Sequence, residues 1–325
     1  MHGEDGPDVD EETWRDRVLG LLLGGALGDA VGAPFEGALT VDPRHVERVI
    51  GGREPLRWTD DTALQLALAG HVADHATDDE VVDDDLVLAL AEAWRAEPDR
   101  GYGPNPPRIF AAALAGEEWR TRVHDAFGGR GSLGNGGAMR VAPVGALPGG
   151  VERVVDVARR SAAVTHAHPV GQEAAGVIAV AAHRGLRAPE GTSDAPGTLT
   201  RCVAVVSTEE LRGAIRAAWT AARRGPREAA EITGNGVAAN ESVGAALAAA
   251  LSHPGDPVAA VSFAVRMAGD TDTIAAMAGS LVGSRTGARA LPAELVARLE
   301  DRERIEGVAA RLAAATWHAP SRKSG

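Results

Sequence analysis

Apolar residues recur at intervals of three or four along most of the chain, which is the period of an amphipathic α-helix. The first such stretch covers 14–26 and contains Trp14, Val18 and Leu21. Alternation of apolar and polar residues, the pattern of a half-buried strand, is short everywhere, and its best example is 203–206. The periodicity predicts further helices over 64–76, 83–95, 108–115, 151–163, 170–183, 209–223, 242–251, 257–267, 273–283 and 292–299.

This pattern predicts an all-α fold, a compact single-domain bundle of about ten helices joined by loops rich in Gly and Pro. No long linker or internal repeat interrupts the chain, so we expect one domain over 13–318. Residues 1–12 and 319–325 are polar, and we expect them to form a flexible arm and a flexible tail. Only 3% of the residues are aromatic, so small aliphatic side chains must fill the core and let helices approach closely.

The formal net charge of −12 opposes the phosphates of DNA and RNA, so we expect no general nucleic-acid binding. The same net negative charge repels an anionic small substrate unless local cations or aligned backbone amides offset it. Cys202 is the single cysteine, which excludes an internal disulfide and a cysteine metal cluster. Five glycines and Asp29 interrupt the apolar stretch 18–33. We therefore expect no signal peptide, no membrane span and a cytoplasmic protein.

Two short acidic motifs each stand directly before an apolar helical stretch. The first, 59–62, reads Thr-Asp-Asp-Thr, and the second, 270–273, reads Asp-Thr-Asp-Thr. Helix capping explains either motif alone, but a cap needs only one such residue, and adjacent carboxylates repel each other unless a cation separates them. If the two helix starts meet, four carboxylates surround one small volume. Oxygen ligands without His or Cys select Mg²⁺, Mn²⁺ or Ca²⁺ rather than Zn²⁺.

A glycine-rich loop precedes Arg140, with six glycines in the ten positions 128–137. Backbone N–H groups in such a loop can point together at an anion, as a bound phosphate requires. The spacing matches neither the P-loop nor the dinucleotide fingerprint. A flexible loop without a ligand explains the composition equally well.

Three further polar residues stand in loops or at helix ends. His166 lies in a Thr-His-Ala-His-Pro segment without the third His or Cys that a zinc site needs, so a hydrogen-bonded loop histidine is favoured. Asp29 follows an apolar helix and meets the negative end of its dipole, so we expect a backbone amide or an arginine as its partner. Glu36 lies on a segment rich in Gly and Pro that can act as a flap, although a solvated loop carboxylate is the simpler interpretation.

Together and in this order, these segments resemble the ADP-ribosylglycohydrolase family, which includes the dinitrogenase reductase-activating glycohydrolases. The resemblance covers nearly the whole chain. It implies an all-α domain with a binuclear magnesium centre, in which Mn²⁺ can replace the two Mg²⁺ ions. The implied partner is an ADP-ribosylated protein or a small-molecule ADP-ribose conjugate. The matching segments are 28–29 with Glu36, 58–62, 134–140, 165–166, 269–273 and 299–302.

The resemblance also implies roles for individual residues. The implied metal ligands are Thr59, Asp60, Asp61, Asp270, Asp272 and Thr273. The implied substrate-binding residues are Ser132, Gly134, Asn135, Gly136 and Gly137 of a diphosphate-binding loop, together with His166. The implied catalytic residues are Glu36, Asp61 and Asp272.

One departure concerns the adenine of the substrate. Leu133 stands where some members of the family carry an aromatic residue, so adenine stacking would depend on other side chains. Tyr102, Trp119 and Phe127 are the candidates.

The implied reaction is hydrolysis of the glycosidic bond of ADP-ribose by a metal-activated water, through an oxocarbenium-like state. Glu36 or one of the aspartates would take the proton. Arginine is the first acceptor expected, with serine, acetyl and nucleobase groups as alternatives. Two rival hypotheses use the same residues. One is a dimetal phosphohydrolase that cleaves an ADP-ribose-like diphosphate, and the other is a catalytically inactive ADP-ribose-binding module.

Overall fold

A computed structural model describes residues 9–77, 83–189 and 194–317 of the chain. Within these ranges the regular structure consists of helices, apart from three isolated β-bridges, so the predicted all-α class is confirmed. Three short 3-10 helices cover Ala33–Phe35, Ala142–Ala146 and Ala288–Ala290. The α-helices are α1 (Glu11–Gly32), α2 (Pro43–Gly51), α3 (Asp60–Asp74), α4 (Asp83–Ala96), α5 (Pro106–Leu114), α6 (Trp119–Gly129), α7 (Gly136–Met139), α8 (Val151–Ala163), α9 (Pro169–Arg187), α10 (Ala195–Ala204), α11 (Glu209–Ala221), α12 (Pro226–Thr233), α13 (Ala239–Ser252), α14 (Pro257–Val265), α15 (Thr271–Thr286), α16 (Ala293–Val296) and α17 (Arg302–Thr316).

Most of the predicted helices are present within a few residues of their expected bounds, although α16 keeps only part of the stretch 292–299. The strand suggested over 203–206 is wrong, because α10 continues through Val203 and buries Cys202 on its inner face. α1 begins inside the predicted arm 1–12, where Asp10 caps it by accepting a hydrogen bond from the Thr13 amide at 2.7 Å. The rest of that arm, 1–8, and the predicted tail 319–325 lie outside the described residues.

The two almost completely buried helices α1 and α15 run antiparallel with their backbones in contact. Glycines at every fourth position of α1 make this contact possible. A Cβ atom on Gly24 would lie 2.4 Å from the carbonyl oxygen of Gly279, and one on Gly28 would lie 2.0 Å from that of Ala275. No side chain separates the helices at these points, so their register is fixed, and the end of α1 lies beside the start of α15.

α3 and α17 pack against this helix pair. The Gln65 amide of α3 donates to the Ser280 hydroxyl of α15 at 3.0 Å, and the lack of a side chain at Gly25 of α1 leaves room for both groups. The indole N–H of Trp14 in α1 donates to the Ala313 carbonyl of α17 at 3.3 Å. The start of α3 is therefore held close to the end of α1 and the start of α15.

By length and composition alone α1 could cross a membrane, since it contains an 18-residue window of mean hydropathy 1.6. However, 78% of that window is buried inside the protein. Because its apolar side chains already pack against other helices, α1 is a core helix.

We predict that Gly24→Ala lowers the free energy of unfolding by about 1–3 kcal/mol, because the new methyl group must push α1 away from α15. Chemical denaturation monitored by circular dichroism measures the change. Gly213→Ala is the matched control, since this exposed glycine of α11 has open space around its Cβ position. The control should be neutral or up to about 1 kcal/mol more stable, because Ala favours a helix over Gly. If both substitutions changed the free energy of unfolding equally, the close backbone contact between α1 and α15 would be contradicted.

Candidate active site

Asp29, near the end of α1, holds the start of α3 in place. Its buried carboxylate accepts hydrogen bonds from the Thr59 amide at 2.9 Å, the Thr62 amide at 3.0 Å and the Thr62 hydroxyl at 2.6 Å. Burial raises the pKa of Asp29 to about 6, although these hydrogen bonds act in the opposite direction. The partner expected from the sequence is thus a pair of backbone amides and a hydroxyl at the start of another helix.

The two acidic motifs meet at this point, which is the condition for a shared metal site. Asp61 Oδ2 lies 3.3 Å from the Thr273 hydroxyl, which donates to it from the start of α15. The Thr59 hydroxyl lies 3.4 Å from the same oxygen and also accepts from the Asp61 amide at 3.3 Å. Among the residues that the structure describes, the buried Asp61 Oδ1 has no hydrogen-bond partner. A buried carboxylate oxygen without a donor needs a cation or water to stabilise it.

Contacts from three other segments position the start of α15. The Asp270 amide donates to the Asn235 carbonyl at 2.8 Å, and the side-chain amide of Asn135 donates to the Asp270 carboxylate. The Thr271 hydroxyl donates to the Gly32 carbonyl at the end of α1 at 2.9 Å. Because Gly32 has no Cβ, the backbone of the second acidic motif can approach α1 directly.

The segment that carries Glu36 is hydrogen-bonded to the loop before α15. The Gly37 amide donates to the Gly269 carbonyl at 2.8 Å, and the Gly269 amide donates to the Ala38 carbonyl at 2.9 Å. This pairing brings one oxygen each of the exposed Glu36 and the buried Asp270 and Asp272 within 4.8 Å of one another. The structure thus places Glu36 at one side of the acidic cluster, and the flap role stays a prediction.

Crowding of like charges makes the ionised form of this cluster costly. Burial and then the charge of Asp29 raise the pKa of Asp60 to about 8. Burial raises the pKa of Asp272 to about 7, and burial with nearby aspartates raises the pKa of Asp61 well above its usual range. The charge of Asp272 raises the pKa of the more exposed Glu36. Bound cations would relieve this repulsion and favour the ionised carboxylates.

Arg100 supports the segment before α3 from the outside, a role that the sequence did not indicate. Its guanidinium lies 3.9 Å from the centroid of the Trp58 ring and donates to the Trp58 carbonyl at 3.0 Å and to Glu300 Oε2 at 2.7 Å. Its own carbonyl accepts from the Asp60 amide at 2.8 Å. Arg100 lies in none of the motifs found in the sequence, and the structure shows that it joins Trp58 to Glu300, which belongs to the matching segment 299–302.

The glycine-rich loop over 132–137 lies next to the acidic cluster. Fewer of its backbone N–H groups are available to bind an anion than its glycine content suggests. The Gly134 amide donates to the hydroxyl of the serine two residues earlier at 3.2 Å, and the Asn135 amide donates to a backbone carbonyl at 3.1 Å. Within the described parts of the chain, the amides of Gly136 and Gly137 meet no acceptor. These two N–H groups therefore remain for a ligand.

His166 lies directly beneath this loop. A Cβ atom on Gly136 would be 3.1 Å from its Cε1 atom, and one on Gly134 would be 3.7 Å from its Nε2 atom. Burial and the nearby charge of Arg140 lower the pKa of His166 to about 3, so the imidazole is neutral. The structure thus places His166 against the glycine-rich loop, and its role in binding a ligand remains a prediction.

The three aromatic candidates for adenine stacking occupy different environments. Trp119 is buried and its indole N–H donates to Asp84 Oδ1 at 3.2 Å. Phe127 is 56% exposed at a kink in α6, where its φ angle is 54°. Tyr102 lies near the acidic cluster, where burial and the charge of Asp60 raise its pKa. Its buried hydroxyl meets no partner in the described structure.

The chain matches one protein-family model, the ADP-ribosylglycohydrolase model, over residues 10–321. The chain belongs to the ADP-ribosylglycohydrolase family. It is 33% identical to human ADP-ribosylhydrolase ARH3, with 85% of this chain and 87% of that protein aligned. The mouse protein of the same name is 32% identical over 85% of each chain. A solved structure described as an ADP-ribosylglycohydrolase-related protein complex has a TM-score of 0.72 and 26% identity, covering 94% of this chain and 99% of that one.

Membership of this family also gives the enzyme class. The protein is a hydrolase that cleaves glycosidic bonds to ADP-ribose. The acidic cluster fits a hard metal ion, since its ligand atoms are carboxylate and hydroxyl oxygens and no described residue donates a hydrogen bond to the buried Asp61 Oδ1. The fold, the convergence of the two motifs and the family agree with the resemblance found in the sequence.

We predict that, without divalent cations, Asp60→Asn stabilises the protein more at pH 8.5 than at pH 6.5, by about 1–2 kcal/mol. Ionisation costs more in the folded than in the unfolded state, so stability is lost progressively as the pH rises from the ordinary pKa of 3.8 to about 8 and changes little above that. Denaturation in EDTA at several pH values measures the effect. Glu47→Gln on the exposed face of α2 is the control and should show no such difference. If the effect of Asp60→Asn on stability did not depend on pH, the raised pKa of Asp60 in the folded protein would be contradicted.

Proposed function

We propose that this enzyme is a Mg²⁺-dependent ADP-ribosylhydrolase that uses a metal-activated water to release ADP-ribose from an acceptor. The observation that carries the proposal is the meeting of the two acidic motifs, seen in the contact of Asp61 with Thr273 at 3.3 Å. Relatives that are named ADP-ribosylhydrolase support the substrate class. The proposed partner is an ADP-ribosylated protein or a small-molecule ADP-ribose conjugate, and the proposed compartment is the cytoplasm.

The proposed metal ligands are side-chain oxygens at the starts of α3 and α15. Carboxylates and hydroxyls of this kind suit two Mg²⁺ ions, or Mn²⁺ in their place, better than zinc. When bound, such ions supply a water of lowered pKa and orient hydroxyl groups of the substrate. The six ligands are Thr59, Asp60, Asp61, Asp270, Asp272 and Thr273.

Three carboxylates of the chain are proposed to take part in the chemistry. Glu36 is exposed at the edge of the cluster and can accept a proton from an attacking water, and its raised pKa makes it a stronger base than a free glutamate. Asp61 and Asp272 are proposed to hold that water beside the anomeric carbon. Negative charge in this cluster also favours the oxocarbenium-like state through which glycosidic cleavage passes.

The loop 132–137 is proposed to bind the diphosphate of the substrate. The proposed donors are the amides of Gly136 and Gly137, which have no acceptor among the described residues, and the ring of His166, which lies against the loop. Ser132 and Asn135 shape the loop, since the serine hydroxyl accepts from the loop backbone and the Asn135 side chain donates to the acidic cluster. Local donors are needed here because the net charge of −12 opposes an anionic substrate.

We predict that the double variant Asp60→Asn with Asp272→Asn loses at least about 10³-fold in kcat, because the proposed metal sites lose two ligand charges. ADP-ribose release from an ADP-ribosylated protein in Mg²⁺ measures the loss. The control, Glu47→Gln with Asp125→Asn, removes two exposed carboxylates and the same net charge, and it should keep wild-type turnover. Activity of the double variant, or of the wild-type enzyme in excess EDTA, would refute the metal-dependent mechanism.

The same assay separates the proposed reaction from its rivals when the products are identified by mass spectrometry. Intact ADP-ribose indicates glycosidic cleavage, whereas AMP indicates a phosphohydrolase. Binding of ADP-ribose without turnover of any conjugate would indicate an inactive binding module.

For the acceptor, we predict that arginine-linked ADP-ribose is hydrolysed with a kcat/KM at least about 10-fold above that of serine-linked or O-acetyl conjugates. The resemblance favours arginine, and a cationic guanidinium suits the exposed Glu36 carboxylate at the edge of the site. A panel of chemically defined conjugates, each assayed in Mg²⁺, measures the preference. Faster hydrolysis of a serine or acetyl conjugate would replace the proposed acceptor and leave the hydrolase intact.

A further inference from the structure

Arg140 is a buried cation bonded only to neutral groups among the residues that the structure describes. Its side chain is almost completely buried. The guanidinium donates to the Gly136 carbonyl, the Ser161 carbonyl and the Thr165 hydroxyl, each at 2.8 Å. Burial lowers its pKa to about 10, which still leaves it protonated at neutral pH. Arg140 therefore fixes both the glycine loop and the segment before α9.

The contact with Arg140 decides where the Thr165 proton goes. A guanidinium can only donate, so the Thr165 oxygen is the acceptor in that contact and must give its own proton to another group. Two acceptors are within reach, the His166 Nδ1 atom at 2.8 Å and the Ala162 carbonyl at 3.4 Å. The shorter distance is that of a good hydrogen bond and the longer one is not. These distances favour donation of the Thr165 hydroxyl to Nδ1 over donation to the Ala162 carbonyl.

His166 consequently carries its single proton on Nε2. A ring nitrogen that accepts a hydrogen bond has no hydrogen of its own, and a neutral imidazole has only one. Burial and the positive charge of Arg140 keep the ring neutral. The backbone of His166 is also fixed, because its amide donates to the Ala162 carbonyl at 2.9 Å and its carbonyl accepts from the Gln172 side chain at 2.9 Å.

The Nε2–H group faces the glycine loop and has no acceptor among the described residues. A Cβ atom would lie 3.3 Å from Nε2 if added to Gly136, and 3.7 Å if added to Gly134. Side chains at these positions would cover the group, which explains why the loop needs glycine here. The free amides of Gly136 and Gly137 belong to the same loop. Nε2–H and these amides are donors, so the ligand atom that complements them is an acceptor such as a phosphate oxygen.

We propose that Arg140 and Thr165 are positioning residues that lock His166 in the Nε2–H tautomer, making it a neutral hydrogen-bond donor to a diphosphate oxygen of the ligand. The ligand identity rests on the proposed function, whereas the tautomer rests on the hydrogen bonds alone. A neutral donor avoids a second cation beside Arg140.

The direct test is the ¹⁵N spectrum of the His166 ring in uniformly labelled, ligand-free protein between pH 5.5 and 8. We expect a protonated Nε2 and a bare Nδ1 over the whole range. An Nδ1–H tautomer, or a ring that titrates with an ordinary histidine pKa, would overturn the proposal. This measurement does not depend on any activity, so it separates failure of the tautomer assignment from failure of the proposed function.

Two substitutions of Thr165 test whether its hydroxyl fixes the tautomer of His166. Thr165→Val removes the hydroxyl, and we expect loss of the pure Nε2–H signature and a rise of about 10-fold in the Kd for ADP-ribose, the value of one hydrogen bond to a charged group. In turnover assays, KM should rise more than kcat falls. Thr165→Ser keeps the hydroxyl and should restore the tautomer and most of the affinity. If Thr165→Val left both the tautomer and the Kd unchanged, Thr165 would not be a positioning residue for His166.

Calorimetric titration with ADP-ribose measures the affinities, and circular dichroism checks that both variants are folded. If Thr165→Val does not fold, the wild-type spectrum and Thr165→Ser still decide the question. Loss of the tautomer signature in Thr165→Ser would show that the methyl group, rather than the hydroxyl, orients the ring.

Discussion

The direct backbone contact between α1 and α15 is the constraint on which the rest of the structure depends. Helices that pack through side chains usually stay 8–10 Å apart and can slide slightly. Here Gly24 and Gly28 remove those side chains, so carbonyl oxygens of one helix meet the backbone of the other and fix the register. The same register places Asp29 and Gly32 beside the second acidic motif. The position of the site is thus decided by the core and only completed by loops.

The cluster itself works against folding, because burial and mutual repulsion raise the pKa of several of its carboxyl groups. Groups outside the cluster hold it together. Asp29 caps α3 with its carboxylate, Arg100 stacks on Trp58 and accepts from the Asp60 amide, and Asn135 donates to Asp270. The enzyme therefore keeps its oxygen donors preorganised at a cost in stability that bound cations would offset.

The helical period and the two capping motifs could be predicted from the sequence because both are local signals. The apolar period did not indicate helix α17. Ala309 and Ala313 contribute to its buried face, and alanines give only a weak apolar pattern. The valines over 203–206 suggested a strand, but α10 continues through Ala204 and Cys202 is buried on that helix. Arg100 could not be found in this way, since its partners are distant in sequence and their meeting depends on the tertiary fold.

The position of Glu36 has an evolutionary consequence. The other acidic side chains of the cluster stand on core helices or directly beside them, whereas Glu36 is an exposed residue on a segment tied down through its neighbours' backbone. A single substitution there would remove the proposed base without disturbing the fold or the loop 132–137. Such a variant would keep the proposed diphosphate-binding loop and could bind ADP-ribose without hydrolysing a conjugate.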